Sequence, residues 1–283
     1  YSFPNSAVSA FFESKNVHLV TREDGKVFPA SFRSRDILNC LLNAVKSAGN
    51  RIDYKSAVKL IKKSDKGFLV ETDSASYRCS SLIIATGGKS WPDTGSSGDG
   101  YTFAASLGHP VVKPEPALAP VKIKNHLLAG LSGISFQDIS ISLWRGGKKT
   151  DDFTGDMLIT HNGLSGPVIL DNSRYLQAGD IIKVSFFNLP ENQAVFRDRI
   201  KNAGKKPVKK FLQGFNLPGR LLDHIISIAM TTADKNCADA DSEEIKQLFT
   251  CITAYPAEIA SKGGFDTAMV TAGGIDTSYI DPK

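Results

Sequence analysis

Residues 81–100 read SLIIATGGKSWPDTGSSGDG, and this stretch carries the strongest structural signal of the chain. Residues 81–85 are almost wholly apolar, which predicts a strand covered on both faces, as in a parallel sheet. Five glycines then fall within fourteen residues, from Gly87 to Gly100. A helix is predicted over residues 99–107, so the glycines lie between a buried strand and a helix. Open α/β sheets bind ligands at this position, and we predict a ligand-binding loop here.

The order of the glycines separates this loop from two common nucleotide-binding motifs. The GxxxxGK[ST] pattern of the P-loop is absent, and so is the GxGxxG pattern of the dinucleotide-binding turn. Gly87 and Gly88 still allow positive φ and a close approach of the backbone to a ligand. The sequence leaves one alternative open, a tight strand-to-helix connection that binds nothing.

The composition restricts the class of protein. The chain has 283 residues, of which 41% are hydrophobic and 22% are charged, and this length predicts two domains. Its four cysteines form no CxxC pair, which argues against structural zinc and a disulfide scaffold and favours a reducing compartment. No apolar run is long enough to span a bilayer. The net charge of +5 is too small to imply nucleic acid by itself. We therefore expect a cytoplasmic protein with neither a metal nor a membrane partner.

The spacing of apolar residues changes along the chain and divides it into two lobes. The first part reads as mixed α/β, and a proline-rich segment marks its end. Alternating apolar residues and glycine turns then predict a small β-barrel, after which the period becomes helical. The first predicted lobe comprises residues 1–116 and 266–283. The second is an inserted lobe, residues 117–265, which comprises a barrel (117–189), a helical subdomain (190–255) and a segment that leads back to the first lobe (256–265).

Local signals predict several individual elements. Ser34 can cap an amphipathic helix that Gly49 ends. The predicted strands are 17–20 and 26–28, joined by a turn at 23–25, then 57–62, 67–72, 76–79 and 168–170.

The loop motif also carries a resemblance to a known family. ATGGKSWPDTGSSGDGY at 85–101, followed by ALAPV at 117–121, resembles the BaiN-like family of bacterial FAD-dependent oxidoreductases. Three further stretches match that family in order: GKVFP at 25–29, LITHNGLSGP at 158–167 and VTAGGI at 270–275. The resemblance implies an α/β and β architecture, in which part of a FAD-binding, Rossmann-like domain of glutathione-reductase type carries an inserted β-barrel and a small helical subdomain.

The resemblance also implies roles for individual residues. The strand at Val58 would lie beside the adenine. The other implied cofactor contacts fall into two groups, Thr86, Gly87 and Gly88 near the adenosine and pyrophosphate, and Thr271, Gly273 and Gly274 near the flavin. Without the resemblance, residues 271–274 read equally well as a plain β-turn.

His161 is the candidate catalytic residue. It follows a strand in the glycine-containing turn THNG, where an imidazole can face a cleft and donate a proton during reduction of a conjugated double bond. The alternative is a hydrogen-bonded turn residue. The other four histidines form no recognisable catalytic triad with serine and carboxylate, so hydrolase chemistry has little support.

Two segments of the family pattern are not found in this sequence. The family begins with a GGGxAGL unit that holds the FAD pyrophosphate, and it ends with a segment that lies against the flavin. We therefore expect the chain to be the middle portion of a longer protein, to retain no flavin itself, and to form a homodimer through an exposed sheet edge.

The first functional hypothesis is a flavoenzyme that transfers hydride between NAD(P)H, FAD and a small organic substrate, of enone or steroid-like type. The alternative is a non-catalytic interaction module. A third hypothesis is an RNA-associated flavoprotein, because residues 205–210 read KKPVKK. Since no aromatic residue interrupts these lysines, the sequence favours a solvated charged face, and a nucleic-acid partner is not expected.

Overall fold

The structure, a computed structural model, describes residues 3–23, 25–187 and 192–281. Its helices are α1 Asn5–Ser14, α2 Ser34–Ser47, α3 Asp99–Ser106, α4 Pro167–Leu170, α5 Gln193–Asn202, α6 Val208–Leu212, α7 Gly219–Ala229 and α8 Ser242–Thr253. Its strands are β1 Leu19–Thr21, β2 Val27–Pro29, β3 Val58–Ser64, β4 Gly67–Thr72, β5 Ser76–Cys79, β6 Val111–Ala117, β7 Val121–Ile123, β8 Ser135–Arg145, β9 Lys148–Ile159, β10 Gly163–Ser165, β11 Ile181–Ser185, β12 Tyr255–Lys262 and β13 Val270–Ile275.

The chain divides into two compact units, Tyr1–Leu60 with Leu69–Arg78, and Ile61–Phe68 with Cys79–Lys283. The predicted lobe boundaries at 117 and 265 are a different division and stay a prediction.

The first unit contains the β1–β2 hairpin and two helices. Leu19 pairs with Pro29 across the hairpin, which confirms the predicted strand pair, although Asp24 of its turn lies outside the described residues. The predicted helix is confirmed as α2, but Ser34 does not cap it: Ser34 is the first helical residue, and the N-cap position is Arg33, whose side chain makes no capping hydrogen bond. Cys40 is buried on α2, whereas Leu38 remains 53% exposed, so this unit has little apolar core of its own.

The second unit contains a closed barrel with the strand order β10-β7-β12-β11-β8-β9. From residue 139 to residue 143 of β8, side chains alternate between inward and outward, and Ile139, Ile141 and Leu143 are buried, as the period of two requires. An ion pair between Arg145 and Asp180 stabilises the barrel at the end of β8. Arg145 donates to both carboxylate oxygens of the buried Asp180 at 2.8 Å, and these bonds lower the pKa of that carboxyl group.

Helices α5 to α8 extend the same hydrophobic core. On α7, Leu221, Leu222, Ile225 and Ile226 recur at helical spacing and are all buried. Phe196 of α5 is fully buried among the aromatic rings of this core. This packing confirms the helical period that the sequence shows beyond residue 190.

Strands β6 and β13 form a separate antiparallel pair, in which Val270 lies opposite Ala117. The register shifts between Ala272 and Gly274. Gly273 has φ +79°, and a Cβ there would lie 2.6 Å from the carbonyl oxygen of Lys113, so only glycine fits this bulge.

Two of the predicted strands are wrong. Residues 81–85 form no strand, and Ile83 is 89% exposed, because the described residues place no neighbouring strand beside it to complete a ladder. Residues 168–170 belong to helix α4 instead of a strand. Pro167 occupies the first turn of that helix, where its fixed φ favours helix initiation.

Within the part of the chain that the structure describes, no helix has both the length and the apolar character needed to cross a membrane. All four cysteines are free thiols.

Candidate functional site

The glycine loop is bonded to strand β13, a segment about 180 positions further along the chain. The hydroxyl oxygen of Thr271 accepts hydrogen bonds from the backbone N–H of Lys89 at 2.8 Å and of Ser90 at 3.1 Å. The Ser90 hydroxyl lies 3.1 Å from the same oxygen. Two stretches that the family resemblance assigns to opposite ends of one cofactor are therefore directly connected.

The two stretches approach each other too closely for a side chain at position 88. A Cβ on Gly88 would lie 2.7 Å from the Thr271 hydroxyl oxygen and 3.6 Å from the Tyr101 hydroxyl. The Tyr101 ring also packs against Gly274, where a Cβ would lie 3.1 Å from it. Gly100, which precedes Tyr101, packs against Thr86, and a Cβ on Gly100 would overlap the Thr86 hydroxyl oxygen. These glycines are required by packing within the protein, whether or not a ligand binds.

The loop also offers backbone donors that the protein does not use. Among the described residues, the amide N–H groups of Gly87, Gly88, Gly98 and Asp99 have no acceptor. Gly98 and Asp99 begin α3, where the helix dipole adds partial positive charge. Free amides beside a helix N-terminus form a suitable environment for a phosphate. The arrangement can therefore hold the anionic part of a nucleotide.

Trp91 adopts an uncommon backbone conformation next to these donors. Its φ is +57°, which is rare for a bulky residue, and its N–H donates to the carbonyl oxygen of Phe265 at 2.9 Å. The Lys89 ammonium lies 5.3 Å from the centre of the Phe265 ring. Trp91 itself is 53% exposed. An exposed aromatic residue held in a strained conformation beside a candidate site is available to contact a ligand.

The sequence by itself indicates no role for Ser90, Tyr101 or Phe265. Ser90 and Tyr101 belong to the loop motif itself, so their position next to the glycines was the available signal. Phe265 lies far away in sequence, and nothing in its local pattern indicates this contact.

The remaining predicted residues, Val58 and His161, belong to other elements of the chain. Val58 begins β3 in the first unit. His161 is exposed in the turn between β9 and β10, and no hydrogen bond of its ring is found among the described residues. The backbone of the same turn is held by Thr160, whose hydroxyl accepts from the Gly163 N–H at 3.2 Å.

A partly buried polar pair lies elsewhere in the second unit. His224 Nε2 and the Tyr255 hydroxyl are 3.0 Å apart. Burial lowers the pKa of His224 and raises the pKa of Tyr255 to about 12, so both are neutral near pH 7. Leu127 and Cys251 line a cavity of about 340 Å³ beside Tyr255. The described residues contain no group of three or more histidine, cysteine or acidic side chains that could hold a metal ion.

The candidate site indicates a class of protein. Nucleotide-binding domains typically contain a glycine-rich loop with free amides at a helix N-terminus, hydrogen-bonded to a neighbouring strand. The family model described as the HI0933-like protein Rossmann domain matches residues 1–283, and the chain belongs to this family. The match confirms the resemblance seen in the sequence, and the family is one of flavoprotein oxidoreductases.

Three similar proteins illustrate the family. The chain is 27% identical over 281 residues to a 3-dehydro-bile acid delta(4,6)-reductase of Clostridium scindens, covering 96% of this chain and 68% of that protein. It is 30% identical over 232 residues to a ribosomal RNA dihydrouridine synthase of Haemophilus influenzae, covering 81% of this chain and 56% of that protein. A ribosomal RNA dihydrouridine synthase of Escherichia coli is 25% identical over 293 residues, covering 99% of this chain and 71% of that protein.

Proposed function

We propose that this chain is part of a FAD-dependent oxidoreductase that transfers hydride between NAD(P)H, FAD and an organic substrate with a conjugated double bond. The observation that carries the proposal is the set of unused amide donors at Gly87, Gly88, Gly98 and Asp99, next to strand β13. A doubly charged pyrophosphate is a suitable acceptor for such donors.

The residues of the loop fit a nucleotide cofactor in charge and in space. Thr86, Gly87 and Gly273 are exposed residues, and a Cβ on Gly87 would meet nothing closer than the Ser96 hydroxyl oxygen at 3.6 Å. In this proposal Thr86 to Gly88 hold the adenosine and pyrophosphate, and Thr271 to Gly274 support the flavin. A bound flavin supplies hydride-transfer chemistry, while the protein binds and orients it.

The names of the similar proteins support the reductive half of the proposal. A delta(4,6)-reductase and a dihydrouridine synthase both saturate a carbon–carbon double bond in a ring. Hydride addition to such a bond is easier when a carbonyl group is conjugated to it, because the carbonyl accepts the developing charge. The proposed substrate class is therefore a ring double bond conjugated to a carbonyl.

His161 remains a proposed proton donor for this reaction. Its ring is exposed and has no hydrogen-bond partner among the described residues, so it is available to a substrate. His161→Gln should lower kcat and change the pH profile while leaving the flavin content unchanged. An unchanged pH profile would remove His161 from the mechanism.

The barrel and helices are proposed to be an insertion in the cofactor-binding domain. Strands β6 and β13 pair with each other, and they flank the segment between residues 117 and 270 in the sequence. A segment whose two ends meet in one strand pair can be added to a domain without disturbing it.

The cofactor proposal is tested by the flavin content of the intact protein. Gly87 has φ +76°, so Gly87→Val introduces backbone strain and a branched side chain at the free amides. The matched control is Gly49→Val, because Gly49 has φ +73° and no atom within 4 Å of a Cβ. We expect Gly87→Val to be colourless and Gly49→Val to keep its flavin. A flavin content equal in both variants would contradict the cofactor assignment, and a wild-type protein without flavin would favour an interaction module.

RNA is a second candidate substrate. Residues 195–220 contain eight basic residues and one acidic residue, and all eight basic side chains are exposed. Uracil contains a ring double bond conjugated to a carbonyl, so the same chemistry would apply to uridine in RNA.

A homodimer is proposed through the segment that fails to form a strand. Ile83 is 89% exposed there, and a backbone without a ladder partner among the described residues can pair with a second copy. Light scattering of the 283-residue chain should show a dimer that Ile83→Lys dissociates. A monomer in both cases would contradict this proposal.

A further inference from the structure

We infer that a basic face on the helical subdomain binds the phosphates of an RNA substrate, with Lys205, Lys206 and Lys210 as its main contacts. The basic face is defined as the exposed basic side chains of residues 195–220. This inference rests on the RNA candidate of the proposed function, and it specifies where such a substrate would bind.

Charge is strongly segregated within the helical subdomain. Residues 195–220 carry eight basic residues and one acidic residue, a net charge of +7. Residues 221–253 carry two basic and six acidic residues, a net charge of −4. A solvated surface without a partner is more stable when both signs are mixed, because like charges repel. Their separation onto consecutive segments therefore indicates a polyanionic partner for the first.

Several side chains of the basic face already form hydrogen bonds or ion pairs within the protein. The Lys201 ammonium donates to the carbonyl oxygen of Ala238 at 2.8 Å, and Lys209 forms an ion pair with Asp223. Arg220 donates to the carbonyl oxygen of Gly130.

The two remaining arginines are engaged as well. Arg199 lies over the rings of Phe211 and Phe215, at 5.6 and 5.1 Å from their centres. Arg197 lies 3.4 Å from the carboxylate of its neighbour Asp198. Lys205, Lys206 and Lys210 are the members without an ion pair or hydrogen bond of the ammonium group among the described residues.

The backbone beneath these three lysines is fixed by hydrogen bonds to a neighbouring loop. The N–H of Cys237 donates to the carbonyl oxygen of Lys206 at 2.9 Å, and the N–H of Ala238 donates to that of Gly204 at 2.9 Å. The N–H of Val208 donates to the carbonyl oxygen of Lys235 at 3.0 Å. The backbone that carries these lysines is thus already ordered, so RNA binding costs only the ordering of the lysine side chains themselves.

The packing of α6 favours RNA over a lipid surface. Val208 and Leu212, four residues apart, are both fully buried, so α6 directs its charged residues outward and its apolar residues into the core. A helix that binds a membrane must instead present apolar side chains to the acyl region. Phosphate groups in water are the partner that such a purely cationic helix face fits.

The test is the salt dependence of RNA binding by the intact protein. The probe is a fluorescent fragment of ribosomal RNA, and the variant is Lys205→Gln/Lys206→Gln. Each lost phosphate contact reduces the slope of log Kobs against log salt by about 0.7 to 1, so we expect a reduction of roughly 1.5 to 2. The matched control is Lys148→Gln/Lys149→Gln, an exposed lysine pair on the β8–β9 hairpin, and it should keep the wild-type slope.

Three results would overturn the inference: an unchanged slope in the Lys205→Gln/Lys206→Gln variant, an equal loss in the control, or equal competition by polyglutamate or phosphatidylserine vesicles. Equal competition would show a surface for anions in general instead of an RNA site. Because binding is measured without substrate reduction, the two proposals fail separately. If the protein reduces no substrate but shows the expected slopes, only the proposed reductase function is contradicted. If it reduces its substrate but the slope does not change in the variant, only the proposed RNA-binding role of the basic face is contradicted.

Discussion

Gly88 has no room for a side chain, because a Cβ built there would lie 2.7 Å from the Thr271 hydroxyl oxygen. That oxygen cannot move freely, since it accepts from the N–H groups of Lys89 and Ser90. A single hydroxyl group thus fixes both the separation of loop and strand and the residue type at position 88. Tertiary contact, more than turn geometry, explains this glycine.

We expect Gly88→Ala and Thr271→Ala each to destabilise the protein by about 1–3 kcal/mol, the first by overpacking and the second by leaving two amides without an acceptor. The double variant should lose less than the sum of the two, because removing the hydroxyl makes space for the new methyl group. The coupling, measured by urea unfolding, should be about 0.5–3 kcal/mol. Gly130→Ala is the control, since no atom lies within 4 Å of a Cβ there. Additive losses would show that the two residues do not share this space.

The N-terminus of α8 is held by one buried carboxylate. Glu244 accepts from the N–H and hydroxyl of Thr231, from the Lys235 ammonium, and from the N–H of Asp241 as part of a capping box. Burial opposes ionisation of this group, but the bonds from Lys235, Thr231 and Asp241 outweigh it and lower its pKa from 4.5 to about 2. The connection between α7 and α8 thus depends on a charged group inside the core.

Because the folded-state pKa is lowered, Glu244 contributes stability above about pH 4.5, and this contribution is lost as the pH falls towards 2. We expect Glu244→Gln to lower the free energy of unfolding at neutral pH by up to about 3 kcal/mol and to flatten its decline in acid. Urea unfolding across this pH range measures both effects. Glu243→Gln is the matched control, because that side chain is 62% exposed. Equal acid sensitivity in wild type and Glu244→Gln would contradict the assigned role.

Over the whole molecule, the hydrophobic core is unevenly distributed. The large cluster of buried apolar residues lies between Val121 and Ile259, within the second unit. Among the described residues of the first unit, only Cys40 and Val70 are buried hydrophobics. A region with few buried apolar contacts opens at low free-energy cost.

We therefore expect amides of α1 and α2 to exchange with solvent through local opening, far faster than those of β8 and α7. Hydrogen exchange followed by mass spectrometry measures this by peptide. Equal protection across α2 and α7 would show that the first unit is stabilised by more than its buried side chains.

The sequence alone determined the parts of this protein that depend on neighbours along the chain. Helix α2 and strands β4 and β5 were predicted from capping residues, period and turn residues, because these act within a few positions. The ordered motifs identified the family for the same reason, since each is a short stretch with a distinctive order of residues.

Only the tertiary structure decided features that depend on distant partners. Residues 81–85 look like a buried strand, but a strand requires hydrogen bonds from a neighbour, and the described residues provide none. The bond between Thr271 and the loop joins positions that no local pattern connects. The free lysines of the basic face became distinguishable from the engaged ones only through their partners at Ala238 and Asp223. In each case the interaction energy comes from a group that folding brings close. The residues next to one partner in the sequence do not indicate which distant residue the other partner is.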